Sequence, residues 1–141
     1  MLQPARTKYR KQQKNINKKL VSTKGTDLAF GEYGLKCLGN FRLSARQIES
    51  SRIVISKHLK RGGKIWIRVF PDRPITKKPI EVRQGKGKGD IEYWAVMMTP
   101  GKILFEISGI PEEMALKALK LASYKLPTKT IIVSRKYHVW K

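Results

Sequence analysis

The sequence predicts an α+β fold in a single domain, with two helices packed on one side of a mixed or antiparallel sheet. Three observations carry that prediction. β-branched and aromatic residues alternate at 64–70, 92–98 and 128–133, and each run is bounded by Gly or Pro turns, as strands require. Two other segments, opening at Ser44 and Pro111, instead repeat apolar residues at helical spacing. With 141 residues, 40% of them hydrophobic, the chain can bury one modest core.

In chain order, residues 1–24 carry Arg6, Lys8, Arg10, Lys11, Lys14, Lys18, Lys19 and Lys24 without a carboxylate. Their large apolar residues are too scattered to bury a face, so this arm is expected to be disordered when free and to order on a polyanion. A basic, acid-poor stretch also suits an amphipathic transit peptide, but the bias to lysine over arginine and the near lack of serine count against it. Between 25 and 43 the charge falls to zero, Lys36 and Arg42 balancing Asp27 and Glu32. Leu28, Phe30, Leu35 and Leu38, set among glycines, predict short irregular strands where the core begins. Ser44 and Gln47 form a capping box for a helix with Ile48, Arg52, Ile55 and Leu59 on one stripe and its end at Gly62-Gly63. Arg46, Lys57, Lys60 and Arg61 fall outside that stripe and form either a solvated face or an RNA contact.

The strand from Lys64 puts Ile65, Ile67 and Val69 on one face, Trp66 and Arg68 on the other. Trp66 either packs beneath a covering helix or stacks on a base. Pro71-Asp72-Arg73-Pro74 predicts a turn, and Pro79 keeps the following segment out of a sheet centre. Thr99-Pro100-Gly101-Lys102 predicts a tight turn joining 93–98 to 103–107 as an antiparallel hairpin. Pro111, Glu112 and Glu113 open the second helix, whose stripe of Ala115, Ala118, Leu119, Ala122 and Leu126 permits close approach to a sheet, and Pro127 stops it. Residues 128–133 form the last strand of the 25–134 body. The tail 135–141 either frays or docks through Tyr137 and Trp140.

The stretch 81–90 interrupts this pattern. In Gly85-Lys86-Gly87-Lys88-Gly89 the backbone can come close to a partner while ammonium groups project from it, so the loop is either a solvated tip or a contact for phosphate. It lacks the Gly-Lys-Ser/Thr of a nucleotide P-loop, and Asp90 stands where a dinucleotide fingerprint needs its third glycine.

The balance of 31 Lys+Arg against 10 Asp+Glu, a net +21, is costly through self-repulsion in a free monomer and calls for an anionic partner. Nucleic acid comes first and an anionic membrane surface second; no apolar run approaches the roughly 20 residues of a membrane span, and no secretory signal is visible. Cys37, the single cysteine, excludes an intrachain disulfide or a Cys-cluster zinc site and reads as a packed small hydrophobe. His58 and His138 are the only histidines, and no nucleophile or paired-carboxylate constellation offers catalysis. No metal or cofactor is expected. A flexible cationic loop without a recognition helix favours folded RNA over duplex DNA.

Several strings then coincide in order. Met-Leu-Gln-Pro-Ala-Arg-Thr-Lys-Tyr-Arg-Lys opens the chain, and Ser-Ala-Arg-Gln-Ile-Glu follows at 44–49. Lys-Ile-Trp-Ile-Arg-Val-Phe-Pro-Asp stands at 64–72, Lys-Lys-Pro-Ile-Glu-Val-Arg at 77–83, Gly-Lys-Gly-Lys-Gly at 85–89 and Glu-Tyr-Trp at 92–94. Over roughly residues 1–134 the chain resembles the bacterial and organellar ribosomal protein L sixteen family of the large subunit. The resemblance implies a hammerhead-like sandwich, no catalysis, no cofactor and no homo-oligomer. It implies a place in the ribosome, in bacterial cytoplasm, mitochondrial matrix or plastid stroma, shaping the aminoacyl-tRNA site next to the peptidyl-transferase region. Implied partners are large-subunit rRNA, A-site tRNA and neighbouring ribosomal proteins.

The family's arm threads into rRNA, which carries over to Arg6, Lys8, Arg10 and Lys11; charge adds Lys14, Lys18, Lys19, Arg46, Arg52 and Arg68 as rRNA candidates. The family's loop points towards tRNA, which carries over to Arg83, Gln84, Gly85, Lys86, Gly87, Lys88 and Gly89. Gln84 stands where many relatives have Met, Asn15, Ile16 and Asn17 dilute an arm usually richer in Gly and Arg, and the tail runs past where many relatives end. The rival expectation is a free RNA chaperone or general nucleic-acid binder.

Overall fold

The structure, a computed structural model, describes residues 2–13, 21–60 and 62–135. Its elements are β1 (Tyr33–Cys37), β2 (Phe41–Ser44), α1 (Ala45–His58), β3 (Lys64–Ile67), β4 (Arg73–Lys77), β5 (Asp90–Met98), β6 (Ile103–Ser108), α2 (Glu112–Ser123) and β7 (Thr130–Ser134). The α+β class stands, but the strands divide into two antiparallel sheets, one ordered β3-β6-β1-β7 and the other β2-β5-β4.

Both helices form where their caps and stripes place them. Ser44 closes the capping box, its hydroxyl accepting from Gln47 N–H and its own N–H donating to the Gln47 side chain. The helix ends at His58, short of Gly62-Gly63, because Leu59 caps it and Lys60 takes the left-handed conformation at φ 46°. On its stripe Ser51, not Arg52, is buried beside Ile48 and Ile55, and the Ser51 hydroxyl donates to Ala122 O across the contact between helices. A small side chain there suits α2, whose Ala115, Ala118, Leu119 and Ala122 are all buried; α2 ends at Ser123, ahead of Pro127. One cluster joins Leu35, Phe105 and Ile107 of the larger sheet to Leu43 and Met98 of the smaller one and to Ile48, Ile55 and Leu119 of the helices. Burying each such side chain contributes about 1.5–3 kcal/mol.

Two expectations are corrected. Residues 93–98 and 103–107 do not form a hairpin, since β5 and β6 lie in different sheets. Both edges of β6 are taken by β3 and β1 and both edges of β5 by β2 and β4, so neither has a ladder left for the other. The turn is instead a corner between sheets, with Gly101 at φ 92° donating to Cys37 O. At this corner the Cys37 thiol donates to Thr99 O at 2.9 Å, and burial pushes its pKa up, as befits a packed, unreactive sulfur. Pro71-Asp72-Arg73-Pro74 runs directly into a strand, and Pro74 is tolerated in β4 because β4 is an edge.

Candidate nucleic-acid interface

The Gly/Lys loop is the tip of a hairpin made by β4 and β5, whose ladder pairs Thr76 with Ile91 and Lys77 with Asp90. Residues 80–88 are all exposed. Gly85, Lys86 and Gly87 follow one another at φ 102°, 52° and 91°, a run of left-handed residues that glycine makes accessible. A Cβ at Gly85 or Gly87 would meet nothing, so conformation and not space demands glycine there. At Gly89 space decides, because a Cβ would lie 2.6 Å from Lys77 O. Before the loop, Val82 N–H donates to Pro79 O in a turn that leaves Ile80 98% exposed at its tip.

The described part of the arm lies against this hairpin. Lys11 Nζ donates to Lys88 O at 2.8 Å, and Lys88 Nζ reciprocates to Gln12 O. Arg10 and Lys11 approach Asp90 at 3.9 and 3.6 Å. Arm, loop and smaller sheet enclose a cleft of about 360 Å³ whose lining includes Gln12, Gln13, Arg42, Arg73, Thr76 and Lys88, several cations and no carboxylate. Exposed pairs of this kind contribute little stability, so the contact is easily exchanged for phosphate.

On the opposite side of the larger sheet from the helices a second construction appears. Glu106, in the middle of β6, is fully buried. Its carboxylate accepts from Ala29, Phe30 and Gly31 N–H at 3.2, 2.7 and 2.7 Å and pairs with Arg68. Burial raises its pKa, but the hydrogen bonds from Gly31, Phe30, Ala29 and Arg68 together outweigh burial and hold the carboxyl below the usual range. Segment 27–31 is thereby fastened across the sheet, and Gly31 sits so close that a Cβ would lie 2.7 Å from Ile107 O. Trp66, opposite Glu106 in the ladder, stacks on Phe30 at 6.1 Å between centroids and 19° between planes. The cover over Trp66 is therefore this strap, where a helix or a base was expected.

The proposed cations divide by environment. Arg6, Lys8, Arg10 and Arg46 are exposed and Lys11 is half-buried, while Lys14, Lys18 and Lys19 lie outside the described residues, as does the tail beyond Arg135. Arg52 is held by Glu49 at 2.6 Å, and hydrogen bonding to Arg52 lowers the Glu49 pKa. The Arg68 side chain is only 20% exposed beside Glu106. Among the described residues no cluster of His, Cys, Asp or Glu could hold a metal ion, and no helix is long and apolar enough to cross a membrane. Sequence reasoning passed over Glu106 and set Phe30 among the first strands of the core, whereas it lies before β1 and is exposed. Glu106 did carry a signal, a carboxylate inside the apolar run Ile103-Leu104-Phe105-Glu106-Ile107.

Comparison with known proteins agrees in extent with this layout. The profile of the family described as ribosomal protein L16p/L10e matches residues 4–133. The large ribosomal subunit protein uL16 of Vibrio cholerae serotype O1 is 57% identical over 96% of this chain and 98% of its own length. That of Polaromonas sp. strain JS666 is 61% identical over 96% and 97%. That of Aliivibrio salmonicida is 56% identical over 96% and 98%.

Proposed function

The chain belongs to the ribosomal protein L16p/L10e family, and from that premise we propose that it binds large-subunit rRNA through its arm and body and turns its Gly/Lys loop towards A-site tRNA. Membership makes it a structural constituent of the large ribosomal subunit and not an enzyme. The observation that supports the finer assignment best is the joint made by arm and loop. Arg10, Lys11 and Lys88 come together around Asp90 in exposed, weakly paired contacts, and Arg6 and Lys8 of the arm and Lys86 of the loop are exposed close by in sequence. Phosphates replace such contacts readily, and release of their counterions supplies affinity while the folded body supplies register. Lys14, Lys18 and Lys19 extend the same cationic arm in sequence, and Arg46 adds an exposed cation at the first turn of α1. Arg52 and Arg68 add less, being neutralised by Glu49 and Glu106. Arg83 to Gly89 form the tRNA-directed tip.

Sedimentation of ribosomes after a high-salt wash tests the rRNA assignment. The protein stays with the large subunit at one copy per particle; recovery in the soluble fraction with sequence-indifferent RNA binding would instead establish a free RNA chaperone.

A further inference from the structure

We infer that Phe30 is a preformed stacking platform for one unpaired base of the large-subunit rRNA. The inference rests on the rRNA-binding role proposed above and names a contact of a different kind from its phosphate contacts. Phe30 is 58% exposed, and its backbone is fastened along both edges of the strap. Its own N–H and those of Ala29 and Gly31 are held by the buried Glu106 carboxylate. The carbonyls of Leu28 and Ala29 accept from Arg135 Nη2 at 3.4 and 3.3 Å, which fixes the strap at its other edge. Trp66 stacks beneath the ring, and the Arg68 guanidinium stands 5.1 Å from its centroid. An aromatic face is thus held out by a rigid frame, with its ordering cost already met by the fold.

The occupant follows from charge. The strap 27–32 carries two carboxylates, Asp27 and Glu32, and the Arg68 beside the ring is neutralised by Glu106, so it is a poor place to neutralise phosphate. An unpaired base carries no charge and presents a π-face to any aromatic. In a chain of net +21 assembled into an RNA-rich particle, a base is the abundant flat partner.

The test measures affinity of the full chain for large-subunit rRNA at several salt concentrations, for wild type, F30A and F30Y. Loss of one stacked base weakens F30A about 5- to 150-fold. The slope of log affinity against log salt stays unchanged because no cation is removed, and F30Y, which keeps the ring, remains within about threefold of wild type. Equal binding by F30A, a changed slope, or an F30Y loss as large as that of F30A overturns the platform. Failure of wild type itself to bind overturns the rRNA role as well, and so separates the two claims. Ultraviolet cross-linking of wild-type subunits decides the matter even if F30A misfolds. A nucleotide attached to Phe30 supports the platform, whereas Phe30 joined to another protein, or unmodified while arm residues are cross-linked, overturns it.

Discussion

Replacing Glu106 by Gln removes one charge and changes no volume, yet it is expected to be among the most damaging single substitutions in the body. Three backbone N–H groups and the Arg68 guanidinium all donate to this carboxylate. An amide offers one oxygen and turns an NH2 group towards the remaining donors, leaving Arg68 with a neutral partner in a nearly closed site. Breaking a buried pair from one side costs about 3–5 kcal/mol, and hydrogen bonds to a charged acceptor contribute about 1.5–3 kcal/mol each, so a loss of about 3–5 kcal/mol is expected. For a chain of this length that lowers the melting temperature by about 10–15 °C. Thermal unfolding of wild type, E106Q, R68M and the double variant reads it, and the double variant should fall well short of the sum, since neither group is then left stranded.

The pH dependence checks the cause. Glu106 has a folded pKa below its unfolded value near about 4.3, so between the two the unfolded chain holds more protons and stability rises with pH. Its contribution is complete above the unfolded value and is lost as pH falls through the folded one. The gap between wild type and E106Q should therefore be constant above about pH 5 and narrow in stronger acid. A gap under about 1 kcal/mol at neutral pH, or one that does not narrow, would refute the strap as an electrostatic fastening.

Ser44→Ala removes the hydroxyl that caps α1 and should cost about 1 kcal/mol by denaturant unfolding; a silent substitution would show that Gln47 carries the cap alone. Gly89→Ala forces a Cβ to 2.6 Å from Lys77 O and should loosen the hairpin, seen as faster hydrogen exchange at Thr76 and Ile91, with unchanged exchange counting against the close approach. Lys86→Ala with Lys88→Ala, both exposed, should shift stability by under about 0.5 kcal/mol each but slow A-site tRNA accommodation in ribosomes carrying them. Normal accommodation rates would remove the tRNA-directed role.

Local signals carried far in this chain. The capping box at Ser44, the small stripe of α2 and the alternation at 64–70 and 92–98 each specify a single element through contacts a few residues apart, and each is found, the first strand ending early at Ile67. What could not be read locally was partnership between distant segments. The corner at Gly101 depends on β5 and β6 having their edges occupied by strands far away in sequence, and nothing in Thr99-Pro100-Gly101-Lys102 distinguishes a corner from a hairpin. The same holds for Arg68, whose partner Glu106 lies 38 residues on and leaves no trace in the residues around it. The glycine-rich tip, by contrast, was legible because its conformation is written in its own residues.

Asp90 to Ser108 is one uninterrupted run of chain that begins at the lysine tip, forms the middle strand of one sheet, bends at Gly101 and becomes an interior strand of the other. A pull on the tip therefore travels along β5, where ladders on both sides resist it in shear. The dozen residues 78–89 that join β4 to β5 belong to no ladder, so the fingertip yields before the two sheets that mount it.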